Sequence, residues 1–249
     1  MFMIGWEYFS PRRKFALTRK QRWPINIGLA VLNMAIMQLT IGGLAYLAAI
    51  TATQNHWGLL NVFTTPNWLA IVITLLFLDF AIYLQHILSH KWSVLWRLHQ
   101  IHHTDLAFDA TTAVRFHPLE IALSMFYKIF CIFLIGANPI AVIAFEIILN
   151  GAATFNHSNV TIPKSIDNKL RWLIITPDMH RIHHSTIAKE TDSNYGFSIS
   201  WWDRLCGTYI ATPEQPQQSM DIGLKNFTEV SELSFIKLLI LPFKALRQR

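Results

Sequence analysis

Long apolar runs without charged side chains constrain most strongly how this chain can fold. Residues 25–50 contain no charged side chain, and residues 68–88 carry a single acid, Asp79. A membrane-spanning helix needs about 20 mainly apolar residues, and in lipid its backbone polar groups must bond within their own segment. Each run is long enough, and we predict that each crosses a membrane as one α-helix.

Two further apolar segments, residues 119–135 and 139–155, are separated by only three residues. They predict a helical hairpin, which either spans twice or dips into the membrane and returns. The composition, with 52% hydrophobic and 14% charged residues, is more apolar than that of an ordinary soluble domain. We therefore predict an all-α integral membrane bundle of about four crossing helices, forming a single domain over residues 1–249.

Positive charge is concentrated before the first apolar run. Six Lys and Arg residues lie between residues 12 and 22, whereas residues 51–67 contain none. By the positive-inside rule, the N-terminus is predicted to be cytoplasmic, in a bacterial inner membrane or the endoplasmic reticulum. The formal charge of +6 fits this loop asymmetry and attraction to anionic lipid, and no basic stripe predicts nucleic-acid binding.

Three regions are too polar or too short to span. Residues 92–103 predict an amphipathic helix at the membrane interface, with Trp92 and Trp96 at headgroup depth. Residues 156–212 are polar with aromatic islands and predict a cytoplasmic cap. The tail, residues 229–249, predicts a helix that lies on the membrane surface or packs against it.

Histidine is concentrated on the same side of the predicted spans. Ten of the eleven histidines lie between residues 86 and 184, in the motifs HILSH at 86–90, HQIHH at 99–103 and HRIHH at 180–184. Residues three or four apart on a helix share a face, so the imidazoles of each motif can converge. A single pair of this kind is more often a helix cap or an interface feature. Three groups with a repeated spacing instead predict a polynuclear metal site.

Two single histidines and two acids add to this pattern. His117 precedes a proline suited to the first helical position, so it is either a metal ligand or a helix cap. His157 ends an apolar segment next to Asn156, on one helical stripe with Glu146. Asp79 lies on the corresponding stripe of the second span. An acid in a span usually faces the bundle interior, so Asp79 either supports an imidazole through an intervening group or bonds to a neighbouring helix.

The number of histidines narrows the kind of metal site. About ten imidazoles exceed the four ligands of one tetrahedral zinc ion and suit two metal ions, each with four or five nitrogens and an open position. HILSH lacks the glutamate of HExxH, which disfavours a zinc peptidase. The two cysteines lie in apolar or Trp-rich segments and predict no disulfide framework.

The order of these motifs resembles that of the membrane fatty acid hydroxylase and sterol desaturase superfamily. HILSH, HQIHH and HRIHH match the HxxxH, HxxHH and HxxHH boxes of that family. RFHPLE, FNHSN, TPDMHRIHHS, NYG and WDRLCGTY extend the likeness over about residues 68–210. The resemblance implies a non-haem di-iron enzyme that uses O₂ to hydroxylate or desaturate an unactivated C–H bond of a lipid.

The resemblance also implies which residues form the site. The implied ligands of two iron ions are His86, His90, His99, His102, His103, His117, His157, His180, His183 and His184. Five further residues are predicted to support these ligands, with simple packing around the cap as the alternative: Asp79, Asn156, Asn194, Tyr195 and Asp203.

The expected partners are a lipid substrate from the bilayer and an electron donor. The sequence has no nicotinamide, flavin, haem or iron–sulfur motif, so electrons are expected from a separate protein on the cytoplasmic face. Sterol, acyl chain, carotenoid and ether lipid all fit as substrates. The alternative is a non-enzymatic membrane metal-binding or transport protein with a histidine cluster. Transport is disfavoured because the histidines lie at one membrane face rather than along the spans, and ten histidines are too many for a bis-histidine haem.

Overall fold

Helices make up the regular structure of this chain. The computed structural model describes residues 2–15, 17–40, 43–63, 65–229 and 233–244. Within those ranges there are α-helices, two short 3-10 helices at Thr112–Val114 and Leu241–Phe243, and three isolated β-bridges. The α-helices are α1 (Phe2–Phe9), α2 (Arg19–Thr40), α3 (Leu44–Gln54), α4 (Leu59–Val62), α5 (Asn67–Lys91), α6 (Ser93–His103), α7 (Pro118–Ile135), α8 (Pro139–Asn156), α9 (Lys164–Leu170), α10 (Pro177–His183), α11 (Ala188–Thr191), α12 (Trp201–Leu205) and α13 (Phe235–Ile240). The prediction of an all-α fold is confirmed.

The apolar body of the protein is a bundle of α3, α5, α7 and α8. Helices α3 and α5 each pack against both α7 and α8. The core between them includes Ala45, Ala48, Leu78, Ile132 and Phe145, all of which are buried. The alanines of α3 let its backbone approach its neighbours closely. Many large apolar side chains on the outer faces stay exposed, as expected where lipid surrounds the bundle.

Three helices in the described ranges, α5, α7 and α8, are long and apolar enough to cross a membrane. They coincide with the predicted second span and the predicted hairpin, and each bound differs by at most a few residues from the prediction. The turn between α7 and α8 is capped by Asn138, whose side chain accepts hydrogen bonds from Ile140 N and Ala141 N. The number of crossings stays a prediction.

The prediction of one continuous helix over residues 25–50 is wrong. The structure has two helices there, because α2 ends at Thr40 and α3 begins at Leu44. Residues 41 and 42 lie outside the described ranges, and Gly43 has a φ of 78°. Glycine adopts this left-handed conformation without the steric cost that other residues bear, so it commonly ends helices. The Gly-Gly dipeptide in the apolar run was the signal for this break.

The first turn of α2 is tied to the segment that follows α6 by a buried ionic network. The guanidinium of Arg22 donates to Asp105 at 2.6 Å and to Asp109 at 2.7 Å, and Asn26 Nδ2 donates to Asp105 at 3.0 Å. Arg115 is also fully buried and donates to Asn26 Oδ1 at 2.7 Å. The positive charge of Arg22 therefore holds two parts of the chain together, in addition to any effect on membrane orientation.

The N-terminal segment lies against the cap. The carboxylate of Glu7 accepts hydrogen bonds from Ala110 N at 2.7 Å and from Asn159 N at 2.9 Å. Arg12 forms an ion pair with Asp178 at 2.7 Å. These contacts place the N-terminal segment and the cap at the same end of the bundle, and the sequence predicted that arrangement.

The opposite end of the bundle is closed by two glycines. Gly58 has a φ of 86° and Gly136 a φ of 69°. A Cβ atom added to Gly58 would lie 2.1 Å from Gly136 N, so only glycine allows this approach. The linker after α3 thus contacts the turn between α7 and α8, away from the cap.

Two predictions placed residues at the membrane interface, one for Trp92 and Trp96 and one for the tail. Trp92 is 64% exposed, but Trp96 is 5% exposed and its ring centroid lies 5.1 Å from that of His90. The prediction of headgroup depth is therefore wrong for Trp96, which packs against the histidines.

In the tail, residues 230–232 and 245–249 lie outside the described ranges. Helix α13 joins an apolar cluster with Leu29 of α2 and Ile101 of α6, and its depth at a membrane surface stays a prediction.

We expect Arg22→Met to lower the free energy of unfolding in detergent by about 3 kcal/mol, because it leaves two buried carboxylates without their cation. Chemical denaturation of the purified protein measures this change. Lys20→Met, at an exposed position two residues before Arg22 in α2, is the matched control. It should change the free energy of unfolding by less than about 0.5 kcal/mol. Equal stability of the two variants would contradict a structural role for the network.

Candidate metal centre

The first two histidine motifs meet because α5 and α6 fold back on each other. His86 and His90 lie one turn apart at the end of α5, and Trp92 breaks the helix with φ −94° and ψ 118°. Helix α6 then packs against α5 and brings its own histidines to the same place. The ring centroids of His86 and His99 are 5.0 Å apart, and those of His90 and His103 are 4.8 Å apart.

The third motif is presented by the short helix α10. Thr176 is the N-cap, its side chain accepts a hydrogen bond from Met179 N, and Pro177 occupies the first turn. His180 and His183 lie within α10 and His184 is its C-cap residue, so the whole motif enters the bundle end from the cap.

Nine of the ten predicted ligands converge in two groups of buried imidazoles. Within each group the possible ligand atoms lie within 4.8 Å of one another. Group A consists of His86, His90, His99, His103 and His183, and group B consists of His102, His157, His180 and His184. Metal–nitrogen bonds of about 2.0–2.1 Å allow ligands of one ion to lie up to roughly 4 Å apart, so small ring rotations would let each group share one ion.

The two groups are direct neighbours. The rings of His103 in group A and His184 in group B are stacked with centroids 4.5 Å apart. The rings of His102 and His103 are 5.4 Å apart, and so are those of His183 and His184. The second and third motifs each supply both groups, because consecutive histidines on a helix point in different directions. Two ions bound here would be adjacent.

Two imidazoles of group A are oriented by backbone carbonyls from one loop. His86 Nδ1 donates to Tyr195 O at 2.7 Å, and His183 Nδ1 donates to Ser193 O at 2.7 Å. A carbonyl only accepts hydrogen bonds, so the proton of each neutral ring is on Nδ1 and Nε2 keeps its lone pair. Outer partners of this kind fix the ring orientation of metal-binding histidines.

Two further ligands are oriented in the same way. His99 Nδ1 donates to Glu120 Oε1 at 2.6 Å, and His157 Nδ1 donates to Ala153 O at 2.7 Å. Glu120 also lies in the first turn of α7, where a negative charge is favourable. The helix-terminal role follows from the position of Glu120 after Pro118 in the sequence, whereas the contact with His99 joins residues 21 positions apart. The carbonyls of Ala153 and Ser193 could not have been recognised, because every residue carries a carbonyl group.

Pairs of Nε2 atoms in the groups face each other at close range. His86 Nε2 and His99 Nε2 are 3.2 Å apart, and the Nδ1 atom of each ring contacts an oxygen acceptor. When both rings are neutral with the proton on Nδ1, their facing lone pairs repel each other unless a cation lies between them. Two nitrogens bound to one metal ion at about 2.1 Å and a roughly right angle lie at about this separation. The donor set of group A therefore fits a metal ion.

Unpaired ring nitrogens in both groups support the same conclusion. Both ring nitrogens of His103 and of His184 are buried and have no hydrogen-bond partner among the described residues. A buried polar atom without a partner costs about 1–3 kcal/mol, which a metal bond would offset. Burial lowers the pKa of His102, His103, His180 and His184 well below the ordinary imidazole value, and neighbouring histidines add to the shift. These rings are neutral, as metal ligands must be.

The loop that supplies the two carbonyls is held by buried acids. Asp203 accepts hydrogen bonds from Tyr195 N at 2.7 Å and from Gly196 N at 2.9 Å. Burial raises the pKa of Asp203 to about 6, and these hydrogen bonds oppose the shift. Asp79 accepts from Ile199 N at 3.2 Å and from Trp202 Nε1 at 2.8 Å. Asp79 therefore holds the cap on α5, which fits a bond to neighbouring structure rather than support of an imidazole.

The other predicted supporting residues also act on this loop. Asn194 has a φ of 47°, which asparagine tolerates, and donates to Met179 O at 3.1 Å and Ile210 O at 3.0 Å. Asn156 Nδ2 donates to Phe197 O at 3.0 Å. Tyr195 contributes its backbone carbonyl to His86 rather than its phenol. These residues surround the imidazoles, and the carbonyl of Tyr195 contacts one of them directly.

His117 lies outside both groups. Its Nδ1 accepts a hydrogen bond from Leu119 N at 3.1 Å as the N-cap of α7, and its Nε2 donates to Leu239 O at 3.2 Å. Both ring nitrogens are thus engaged. Of the two interpretations of His117, metal ligand or helix cap, the structure supports the helix cap.

A cavity of about 290 Å³ adjoins group A. It lies between α5, α7 and α8 and extends to Met37 of α2. Its lining includes His86, His99 and Glu120, together with apolar residues such as Ile82. An elongated apolar molecule could therefore reach group A from the membrane-spanning part of the bundle.

Comparison with known proteins agrees with this geometry. The model of the fatty acid hydroxylase family matches residues 71–208. Ornithine lipid hydroxylase OlsE of Rhizobium tropici is 29% identical over 222 residues, which cover 82% of this chain and 64% of that protein. Alkylglycerol monooxygenase of Xenopus tropicalis is 34% identical over 149 residues, which cover 57% of this chain and 31% of that protein. The chain spans less than two thirds of the length of these relatives. No solved structure gives a significant match.

We expect Glu120→Ala to weaken metal binding by about 10–100-fold, because His99 loses the acceptor that fixes its ring. Glu120→Gln should weaken it less, since the amide oxygen still accepts the Nδ1 proton. Metal retained per chain after dialysis against a graded series of chelator concentrations measures the affinity. Glu214→Ala, at an exposed position just after the cap, is the control. If Glu120→Ala retained metal as well as the control does, Glu120 would have no part in the metal centre.

Proposed function

The chain belongs to the fatty acid hydroxylase family, and from this premise we propose that it is an O₂-dependent non-haem di-iron oxidoreductase acting on a C–H bond of a membrane lipid. The observation that carries the proposal is the opposed pair of His86 Nε2 and His99 Nε2, 3.2 Å apart at the end of a cavity between apolar helices. Hydroxylation and desaturation are both within this proposal.

The proposed ligands are the nine histidines of groups A and B. Group A would hold one iron ion with five available imidazoles and group B a second with four. His117 is not among the proposed ligands, because a helix cap and a carbonyl occupy its nitrogens. Two iron ions bound in this way would supply the reduction of O₂ and the removal of hydrogen from the substrate.

The protein itself would orient the ligands and keep the site dry. Two loop carbonyls, the carbonyl of Ala153 in α8 and Glu120 would fix four imidazoles in the tautomer that binds metal. The cavity would place a substrate C–H bond beside His86 and His99. Because all nine rings are buried, reactive oxygen would be shielded from bulk water.

The overall reaction requires electrons from outside the chain. Hydroxylation converts a C–H bond, O₂, two electrons and two protons into an alcohol and one water. Desaturation breaks two adjacent C–H bonds and, with the same O₂, two electrons and two protons, gives an alkene and two waters. We propose that a separate electron-donor protein docks on the cap, which would face the cytoplasm of a bacterium or the cytoplasmic side of the endoplasmic reticulum. The relatives named above act on ornithine lipid and alkylglycerol, which supports a lipid substrate.

We expect His183→Ala to lose product formation and to retain fewer than two iron ions per chain, because it removes one ligand of group A. His117→Ala changes the same residue type outside both groups and should keep both the iron and the activity. Metal analysis, an absorption spectrum and mass spectrometry of lipid extracts after incubation with reductant and isotopically labelled O₂ measure these outcomes.

Three results would overturn the proposal. A haem spectrum in the parent protein would exclude the metal centre described here. Fewer than two iron ions in the fully loaded parent would exclude a di-iron site. Two iron ions without oxidation of any lipid would favour the alternative of a non-enzymatic metal-binding protein.

The proposed orientation predicts opposite accessibility for two loop positions. Asn55 in the linker after α3 and Lys164 in the cap are both exposed. With both native cysteines replaced, Asn55→Cys should react with a membrane-impermeant thiol reagent only from outside, and Lys164→Cys only from the cytoplasmic side. Labelling of both positions from one side would contradict the orientation and the crossing number.

A further inference from the structure

An ion pair lies inside the proposed membrane-spanning part of the protein. Lys128 of α7 and Glu146 of α8 are joined by a contact of 2.6 Å between Nζ and Oε1. The side chain of Lys128 is 8% exposed and that of Glu146 is 33% exposed. Charged side chains are costly within a bilayer and are usually found there only where they have a functional partner.

The pair lies in the same cavity as the histidines of group A. Lys128 and Glu146 line the cavity of about 290 Å³ that reaches His86 and His99. Lys128 follows Glu120 by two turns of α7, which corresponds to roughly 12 Å along the helix axis. The cavity therefore connects the metal centre with an ion pair at about the middle of the spans.

The pair also lies where the bundle is open. Helices α7 and α8 each pack closely against α3 and α5, but they make only slight contact with each other along their described lengths. Lys128 and Glu146 bridge this gap. Because Glu146 is partly exposed and also lines the cavity, the ion pair lies at the boundary between the cavity and the outer surface of the bundle.

Both members of the pair have unused hydrogen-bonding capacity. Lys128 Nζ donates only to Glu146, and Glu146 Oε2 accepts no hydrogen bond, among the described residues. Gln85, Ser124 and Asn150 add polar groups to the same lining. An unsubstituted hydrocarbon would bury these groups without partners, which is unfavourable. The cavity thus suits a molecule with polar groups as well as apolar surface.

We propose that Lys128 and Glu146 bind the head group of a zwitterionic lipid, which is the substrate class of this enzyme. Its acidic group would accept from Lys128 Nζ and its ammonium group would donate to Glu146 Oε2. A zwitterion carries no net charge into the bilayer, and each of its charges meets an opposite one. An anionic lipid would instead face the carboxylate, and a neutral lipid would leave both partners unused. This inference rests on the proposed function.

The test is direct binding to the purified, iron-loaded full chain in detergent. The probes share dioctanoyl chains and differ in the head group: phosphatidylethanolamine is zwitterionic, phosphatidylglycerol is anionic, and dioctanoylglycerol is neutral. Calorimetric titration should give a Kd about tenfold lower for the zwitterion than for either other probe, because charge-assisted hydrogen bonds are the stronger ones. Lys128→Met combined with Glu146→Leu should abolish this preference. Lys169→Met, at an exposed cap position, should keep it.

Exchange of the two charges, Lys128→Glu with Glu146→Lys, provides a second variant that keeps an ion pair in the bundle. It should preserve a preference for the zwitterion of at least a few fold. Iron content should be unchanged in both double variants, since the pair contacts no proposed ligand. Equal affinity of the parent for all three probes, or an undiminished preference in the apolar double variant, would overturn the inference. A clear zwitterion preference without oxidation of any lipid would instead overturn the proposed function.

Discussion

The structure depends on the burial of nine imidazoles whose ring nitrogens outnumber the hydrogen-bond acceptors around them. His86, His99, His157 and His183 each direct Nδ1 at an oxygen acceptor, and in its neutral form each ring then leaves a lone pair directed into a group. Such an arrangement is unfavourable without a cation, because lone pairs face each other at 3.2 Å in a medium of low polarity. The surrounding chain must therefore be rigid enough to hold the rings together, and many of its polar contacts serve that purpose.

Those contacts fix each histidine-bearing segment from a different side. Arg115 donates to Ile101 O at 2.9 Å and so satisfies a carbonyl in the last turn of α6, where the second motif ends. Arg22 and Asp105 connect the residues after that motif to α2. Asp203 and Asp79 hold the carbonyl-bearing loop against α5. The metal centre is thus assembled by long-range polar contacts at the cap end, while apolar packing forms the rest of the bundle.

This division explains how much could be predicted from the sequence. Apolar periodicity and histidine spacing are local properties of the sequence. The first correctly predicted helices α5, α7 and α8, and the second correctly predicted that nine histidines converge. Three of the four partners of Nδ1 are backbone carbonyls, which no residue type marks, and the contact of His86 with Tyr195 O joins segments that are distant in the sequence. Trp96 was assigned to the interface from its residue type, although a tryptophan one turn from His99 can equally pack on the histidines. Hydropathy alone also obscured the glycine break before α3.

Hydropathy averaged over a helix also concealed Lys128. One lysine among seventeen other residues hardly changes the mean hydropathy of α7, so residues 119–135 read as uniformly apolar and only Glu146 stood out in the hairpin. In the structure the two charges meet across the gap between α7 and α8. The charge of Glu146 on α8 is therefore balanced by Lys128 within the span rather than at the candidate metal centre. The helical stripe that Glu146 shares with His157 thus carries two separate features, an ion pair and an imidazole of group B. The hairpin positions His157, a proposed ligand, at the cap end and an ion pair at mid-depth, and the cavity that connects this pair with His86 and His99 would set the distance between a polar group and the reactive C–H bond of the proposed substrate.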